Sequence, residues 1–258
     1  MLKEIKKEKL RVLVFENRTS LGQVAAKMVA KKINQLLQAK PVINIIFAAA
    51  PSQNEFLDAL INEPDIEWQK INAFHMDEYL GLPPAAPELF SSFLKKKIFS
   101  RVPFAWVNYI NGSLVDCKAE CERYTQLLLS NPADIVCMGI GENTHIAFND
   151  PHVADFNDPE TVKLVQLDLA CRQQQVNDGC FDTLNDVPEY ALTLTIPALM
   201  SASHVFCMVP GVNKAQAVKY TLEEPVSEHY PSTILKTHDH AVLFVDTDSF
   251  SKIAAYNS

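Results

Sequence analysis

The sequence predicts an α/β fold in which a mostly parallel sheet is covered by helices on both faces. Short β-branched runs alternate with segments in which apolar residues recur at helical spacing. The strand candidates are nearly continuously apolar, as expected of strands that are buried on both faces. No Gly/Ser-rich linker, low-complexity tract or repeat interrupts the 258 residues, so we expect a single domain over residues 1–258.

The predicted elements alternate along the chain from residue 10 onward. The first helix is expected to begin behind a cap at Thr19 or Ser20. Ser52 and Glu55 have the spacing of a capping box, which predicts the start of the next helix. Strands are predicted at residues 10–15, 42–47, 71–74, 107–110, 135–138, 190–194, 205–209 and 241–245. Further helices are predicted around Phe93, at residues 119–129, at residues 214–221 and at the C-terminus.

Composition excludes several classes of partner. The net charge of -8 argues against binding to nucleic acid or to an anionic membrane, because both favour clustered Lys and Arg. The charged first ten residues do not resemble a signal peptide, and no apolar run is long enough to span a bilayer. We therefore expect a cytoplasmic protein. The six cysteines form no C-x-x-C pair and no Cys/His cluster at zinc spacing, so no metal site is predicted.

Four loops that follow predicted strands are candidates for the site: three are unusually polar, and the fourth is short and ends with a lysine. They cover residues 48–54, 75–83, 139–151 and 210–214. In open α/β sheets, ligands bind beyond the carboxyl ends of the strands, where such loops lie. In the second loop, Asp77 and Glu78 follow directly on a strand, so at least one carboxylate should face the crevice. A carboxylate in that position can serve as a general base.

The loop after the strand at 135–138 carries a second candidate group. Gly139 and Gly141 permit close approach of the backbone to a ligand, which makes Gly141 a candidate for contact with substrate or phosphate. His145 follows, with Asp150 five residues later, and a histidine beside a carboxylate can move protons near neutral pH. A G-x-G pair without a third glycine is poor evidence for a dinucleotide site.

Two of these stretches resemble signatures of a known family. F-H-M-D-E-Y-L-G-L resembles the F-N-M-D-E-Y-x-G-L of glucosamine-6-phosphate deaminases, and G-I-G-E-N-T-H-I-A-F-N-D-P resembles their G-x-G-x-D-G-H-I-A-F-N-E-P. Residues 187–200 and 209–215 are similar to two further family motifs in the same order. The sequence thus resembles the glucosamine-6-phosphate deaminase/isomerase family from about residue 10 to about residue 246.

The resemblance implies a fold, a reaction and a set of roles. The fold would be a three-layer α/β/α, modified Rossmann-like arrangement. The reaction would convert glucosamine 6-phosphate, or galactosamine 6-phosphate, to a ketose 6-phosphate and ammonia, without metal or other cofactor. Asp77 would shuttle the proton between C1 and C2, and His145 would assist ring opening with Asp150 as its partner. Lys214 would hold the 6-phosphate. Family members occur as monomers and as hexamers, so a homo-oligomer is one of the two expected states.

The histidine loop departs from the family pattern at three positions. Asn143 stands where the family has aspartate, Thr144 where it has glycine, and Asp150 where it has glutamate. Losing the carboxylate at position 143 should make the His145 imidazolium less stable and lower its basicity. Glu142 is a candidate to supply the missing charge.

The phosphate-binding elements also differ. The loop after the second strand reads A-A-A-P-S-Q instead of T-G-S/G-T-P, although Ser52 and the amides after it are still expected to meet an anion. Arg172 is the nearest candidate for a phosphate-binding arginine that some deaminases carry, and its alternative is a surface role. His75 replaces an asparagine of the family and is expected either to contact substrate or to pack at the strand end.

Two other functions compete with the deaminase. The related 6-phosphogluconolactonases end their histidine motif in Ser-Leu-Phe, whereas this chain has A-F-N-D-P and an intact M-D-E-Y, which favours the deaminase. A catalytically inactive sugar-phosphate-binding regulator is suggested by Asn143 and the altered phosphate loop. That alternative predicts ligand binding without turnover, and some activity on the change Asn143→Asp.

Overall fold

The computed structural model describes residues 1–113 and 116–253. The strands are β1 (Lys3–Lys7), β2 (Leu10–Phe15), β3 (Ile43–Phe47), β4 (Ile71–His75), β5 (Asp77–Tyr79), β6 (Trp106–Asn108), β7 (Ile135–Met138), β8 (Val162–Gln166), β9 (Tyr190–Leu194), β10 (His204–Val209) and β11 (Ala241–Asp246). The α-helices are α1 (Arg18–Leu37), α2 (Asn54–Leu60), α3 (Phe90–Leu94), α4 (Cys117–Ser130), α5 (Leu169–Asn177), α6 (Ile196–Met200) and α7 (Ala215–Glu223). In the described part of the chain, no helix is both long enough and apolar enough to cross a bilayer.

Most strands form one large sheet. It has eight strands in the order β1-β2-β11-β10-β7-β3-β4-β6, and every pairing is parallel except the antiparallel pair of β1 and β2 at one edge. A separate sheet of three antiparallel strands has the order β5-β9-β8. The predicted mostly parallel sheet is therefore confirmed, and a small antiparallel sheet is added to it.

Helices cover both faces of the large sheet, as predicted. Successive residues of β2 point to opposite faces, so Leu13 packs in one apolar cluster with α1, and Val14 packs in another with α7. The first cluster also includes residues of α2, α3 and α5, and the second includes residues of α4 and α6. The result is the three-layer α/β/α arrangement that the sequence and the family resemblance predict.

Several local predictions need correction. The side chain of Asn17, rather than Thr19 or Ser20, caps α1, and Ser20 completes the capping box at the third helical position. Ser52 does not cap a helix, because a 3₁₀ turn over Pro51–Gln53 precedes α2 and shows no side-chain cap. Residues 247–252 form turns, and the rest of the expected C-terminal helix lies outside the described residues.

Three strands and two helices were not predicted. Strand β1 reads K-E-I-K-K and lies at the edge of the sheet, where charged side chains are tolerated because one side stays in water. Strand β5 has only three residues, and β8 has just two buried residues, Val162 and Val165. Helices α5 and α6 are short and were also missed. Strand β9 was predicted, but it pairs in the small sheet rather than the large one.

A single residue separates a strand of the large sheet from a strand of the small sheet. Strand β4 of the large sheet ends at His75, and β5 of the small sheet begins at Asp77. Met76 alone lies between them, and its carbonyl accepts a hydrogen bond from the backbone N–H of Leu194 at 2.8 Å. The position of Asp77 is consequently determined by both hydrogen-bond ladders.

Candidate active site

A cavity of about 730 Å³ lies beyond the carboxyl ends of the parallel strands. Loops after β2, β3, β4, β7, β10 and β11 contribute to its wall. Four of the predicted site residues line it, namely Ser52, Asp77, His145 and Lys214. The other four do not line it, namely Gly141, Asn143, Asp150 and Arg172.

The neighbouring acids Asp77 and Glu78 have different surroundings. Asp77 lines the cavity, and its carboxylate makes no hydrogen bond to any described residue. Glu78 is buried away from it and accepts hydrogen bonds from the backbone N–H groups of Tyr79, Phe90 and Ser91 at 2.9–3.0 Å. Because side chains alternate along a strand, only the first acid of M-D-E-Y faces the cavity.

The surroundings of Asp77 favour its protonated form. Burial raises the pKa of the Asp77 carboxyl well above its ordinary value, and the negative charge of Glu78 raises it further. A raised pKa makes the ionised carboxylate a stronger base, which suits removal of a proton from carbon.

His75 does not contact the cavity. It is fully buried, and its Nδ1 lies 2.9 Å from the carbonyl oxygen of Asp77, while Nε2 accepts a hydrogen bond from the N–H of Ile110 at 2.9 Å. Burial lowers the pKa of His75 to about 4, so the ring is neutral at pH 7. Of the two expectations for His75, packing at the strand end is the one observed.

His145 is held by two residues that lie behind it. Nδ1 of His145 lies 2.9 Å from Oδ1 of Asp150, which is fully buried. Burial alone would raise the pKa of Asp150, but the charge of His145 and the contacts with His145 and Asn143 outweigh it, so the pKa is lowered. Asp150 is therefore ionised near neutral pH and orients the imidazole.

Asn143 connects the backbone of His145 to Asp150. Its Nδ2 donates to Oδ1 of Asp150 at 2.9 Å, and its Oδ1 accepts from the backbone N–H of His145 at 3.1 Å. The amide nitrogen of Asn143 thus donates a hydrogen bond to Asp150, which the carboxylate of the family's aspartate could not do. The charge of Glu142 acts on Lys214, and its buried Oε1 has no hydrogen-bond partner among the described residues, so its role as a substitute for the lost carboxylate stays a prediction.

Close packing within the loop explains the glycine at position 141. A Cβ atom on Gly141 would lie 2.2–2.3 Å from three ring atoms of His145, so any side chain would displace the imidazole. Gly141 also donates its N–H to the carbonyl of His145 at 2.9 Å. Its place is under the histidine ring and not on the cavity wall, where the sequence analysis expected it.

Thr144 adopts a backbone conformation that suits glycine. Its φ is 72°, in the left-handed region that β-branched residues strongly disfavour, and its buried Oγ1 has no hydrogen-bond partner. The related motif has glycine at this position, which the φ value explains.

Replacing Thr144 by glycine should therefore stabilise the protein. Relief of the backbone strain and removal of the unpaired hydroxyl outweigh the greater chain entropy of glycine by about 1 kcal/mol. Urea unfolding of wild-type and Thr144→Gly protein would measure the difference in the free energy of unfolding. A lower midpoint for the glycine variant would show that the hydroxyl or the methyl group stabilises the loop.

Lys214 provides a positive charge on the cavity wall. It is 7% exposed and directly precedes α7, and its ammonium forms no hydrogen bond or ion pair with a described residue. Burial lowers the pKa of Lys214, while the charges of Asp178 and Glu142 oppose this shift. An unpaired buried ammonium at the N-terminus of a helix is suited to binding an anion such as phosphate.

Asp246 fixes the loop that carries Lys214. Both of its carboxylate oxygens accept from the N–H of Gly211 at 3.0 Å, and Oδ1 also accepts from the N–H of Ser249 at 2.8 Å. Gly211 has a φ of 96°, which turns the chain from β10 into the short 3₁₀ helix before α7.

The structure does not bring Arg172 into the site. Its Nη2 donates to the carbonyl oxygens of Leu184 and Val187 at 2.8 and 2.9 Å, so the guanidinium ties α5 to the following 3₁₀ helix. Because these contacts hold its guanidinium, Arg172 does not make the phosphate contact that was expected of it. Ser52 does line the cavity, and its Oγ accepts a hydrogen bond from Nε2 of Gln53 at 3.1 Å.

Several cavity residues were missed by sequence reasoning. Arg18 lines the wall at the start of α1 and pairs with both carboxylate oxygens of Glu55, at 2.6 and 3.0 Å. Gln175 and Asp178 also line it, from α5 and the residue after it. The sequence around Arg172 is polar, but which of its side chains face the cavity depends on the register of α5, which the sequence pattern does not reveal.

Comparison with known proteins adds an independent line of evidence. The family model for glucosamine-6-phosphate isomerases/6-phosphogluconolactonase matches residues 16–244. A glucosamine-6-phosphate deaminase of Streptococcus suis is 31% identical over 244 residues, which cover 95% of this chain and 100% of that protein. A deaminase of the same name from Streptococcus sanguinis is 30% identical over 242 residues, covering 94% and 98%.

Solved structures show the same fold. A monomeric glucosamine-6-phosphate deaminase matches with a TM-score of 0.84 at 28% identity, covering 93% of this chain and 98% of that one. The 6-phosphogluconolactonase from Thermotoga maritima matches with a TM-score of 0.74 at 20% identity, covering 91% and 98%, and supports the fold alone. With a family model that spans most of its length, this chain belongs to the glucosamine-6-phosphate isomerase/6-phosphogluconolactonase family.

Proposed function

We propose that the protein is an amino-sugar-phosphate deaminase that isomerises glucosamine 6-phosphate, or galactosamine 6-phosphate, to a ketose 6-phosphate with release of ammonia. One observation carries the proposal. The same cavity is lined by the carboxylate of Asp77, the imidazole of His145 and the buried, unpaired ammonium of Lys214. The names of the relatives support the same reaction.

Each of these groups has a role in the proposed reaction. Lys214 binds the 6-phosphate and thereby fixes the distance of the sugar carbons from the other groups. His145, whose Nδ1 is held by Asp150, uses Nε2 to protonate the ring oxygen as the sugar opens. Asp77 removes the proton from C2 and returns it to C1. Asn143, Asp150 and Gly141 act through His145 by setting its orientation.

Ammonia release tests the proposed reaction directly. Purified protein is incubated with glucosamine 6-phosphate and with galactosamine 6-phosphate, and ammonia and ketose 6-phosphate are measured in equal amounts. The Asp77→Asn variant serves as the control for contaminating activity. Absence of ammonia with both sugars, while thermal shift still reports binding, would contradict the deaminase and favour a binding protein.

The lactonase alternative is distinguished in the same experiment. Hydrolysis of a lactone moves no proton between carbon atoms, so it does not require the base that Asp77 provides. Hydrolysis of 6-phosphogluconolactone that survives Asp77→Asn, together with no ammonia from either amino sugar, would favour the lactonase.

The change Asn143→Asp should lower the rate and not restore it. A carboxylate at position 143 would face the ionised Oδ1 of Asp150, at the place where the amide now donates at 2.9 Å. We expect kcat for ammonia release to fall about tenfold, because repulsion between the two carboxylates moves the partner of His145. An increase in kcat would instead support the idea that Asn143 has switched catalysis off.

A further inference from the structure

Three side chains with metal-binding atoms meet behind the cavity. His145 and Asp150 come from the loop after β7, whereas Cys171 lies in the first turn of α5. A ring nitrogen, a carboxylate oxygen and the Sγ atom of these residues lie within 4.8 Å of one another. All three residues are buried, at 8%, 0% and 1% exposure. The cysteine spacing in the sequence gave no indication of this cluster, because its members come from different elements.

One carboxylate oxygen of the cluster lacks a hydrogen-bond partner. Oδ2 of Asp150 is buried and forms no hydrogen bond with a described residue, whereas Oδ1 lies 2.9 Å from Nδ1 of His145. An unpaired buried polar atom costs about 1–3 kcal/mol. Binding a cation would give such an atom a partner, so the cluster could hold a metal ion in addition to orienting His145.

The donor set indicates which cation would bind. Nitrogen, oxygen and sulfur donors together suit zinc, whereas magnesium and calcium prefer oxygen donors alone. At ordinary zinc bond lengths, tetrahedral ligand atoms lie about 3.3–3.6 Å apart. The three atoms here are already within 4.8 Å, so shifts of about an ångström would bring them to bonding positions.

We propose that His145, Asp150 and Cys171 form a site for Zn²⁺, and that its occupation inhibits the enzyme. The inhibitory part rests on the proposed function. When the ion binds, three metal–ligand bonds form, and the thiol proton and any proton held between His145 and Asp150 pass to solvent. The ion then takes the carboxylate that orients the histidine, so ring opening is no longer supported.

Cobalt(II) binding to the full chain is the first test, because thiolate-bound cobalt gives a charge-transfer absorption band. We expect the wild-type protein to bind one Co²⁺ with this band and to lose the band on addition of Zn²⁺. The Cys171→Ser variant should lack the band and bind Zn²⁺ roughly 100-fold more weakly. The matched control is Cys180→Ser, which removes a half-buried thiol from the cavity wall and should keep both properties.

Other variants control for a loss of Zn²⁺ binding that is caused by misfolding. Thermal unfolding checks that Cys171→Ser is folded, and if it is not, Asp150→Asn should weaken Zn²⁺ binding in its place. The change His152→Ala tests whether the metal binds instead to a neighbouring site formed by Asp150, His152 and Asp168. Loss of binding in His152→Ala but not in Cys171→Ser would overturn the proposal, as would a wild-type protein without the charge-transfer band.

Inhibition is measured separately from binding. Zn²⁺ should lower the rate of ammonia release by the wild-type protein at the concentrations that displace cobalt. At the same concentrations, the Cys171→Ser variant should keep most of its own rate measured without Zn²⁺. Full activity with the site occupied would overturn the inhibitory role. A metal-free protein that releases no ammonia at all would contradict the proposed function, while the cobalt spectrum would still decide the metal site.

Discussion

Replacing Asp77 by asparagine should lower kcat for ammonia release by about 1,000-fold and change the Kd for the sugar phosphate by no more than a few-fold. Asparagine has nearly the same shape but cannot take a proton from carbon. The phosphate contact at Lys214 is untouched, so binding should persist. Single-turnover ammonia release would measure the chemical step, and calorimetry with the sugar phosphate would measure binding.

The same substitution should raise thermal stability at neutral pH. The folded protein raises the pKa of Asp77, so between the ordinary and the raised pKa the unfolded chain releases a proton that the folded protein retains. Stability falls over that range as the pH rises, and asparagine avoids this loss. The gain in Tm should disappear as the pH falls below 3.8, the ordinary pKa, because aspartate is then protonated in both states.

The adjacent acid provides the comparison. The change Glu78→Gln should lower Tm, because glutamine cannot accept all three backbone hydrogen bonds that Glu78 accepts. If Asp77→Asn instead lost ligand binding and stability together, its role would be structural rather than catalytic.

Replacing Lys214 by methionine should raise the KM for the sugar phosphate by about 100-fold, equivalent to roughly 3 kcal/mol. The ammonium is buried and unpaired in the free protein, so a phosphate would be its principal partner. At saturating substrate, kcat should change much less than kcat/KM, because the groups that move protons remain in place. Initial rates over a wide range of substrate concentration would separate the two constants.

Lys219→Met is the matched control for this experiment. Lys219 lies in α7, the helix that Lys214 precedes. Its side chain is 42% exposed and pairs with Glu223, so its loss should leave KM within about twofold. If Lys214→Met lowered kcat and left KM unchanged, the lysine would act on the reacting atoms and not on the phosphate.

The large sheet could be predicted because its central strands are buried on both faces and therefore read as continuous apolar runs. This signal is absent from β1, whose charged residues lie at a sheet edge, and from β5, which has only three residues. The small sheet was missed for the same reason. Its strand β9 has a clear pattern, but periodicity does not reveal which sheet a strand joins.

The candidate site was predicted where the signal was a loop at a strand end. Asp77, His145 and Lys214 were found because each follows a strand of the large sheet, and all such loops meet at one edge. Arg172 was placed there by proximity to a family motif, but its direction depends on the register of α5. The approach of Cys171 to Asp150 has no local signal, because it arises only when α5 packs against the histidine loop.

The junction between β4 and β5 determines which changes in chain length the protein can accept. Two hydrogen-bond ladders hold the residues on either side of Met76, so neither strand can slide to absorb an inserted or deleted residue. A one-residue deletion in this stretch would reverse the alternation and turn Glu78 toward the cavity in place of Asp77. Natural variation in length is therefore expected to occur in the surface loops and to avoid residues 71–79, even where substitutions within this stretch are tolerated.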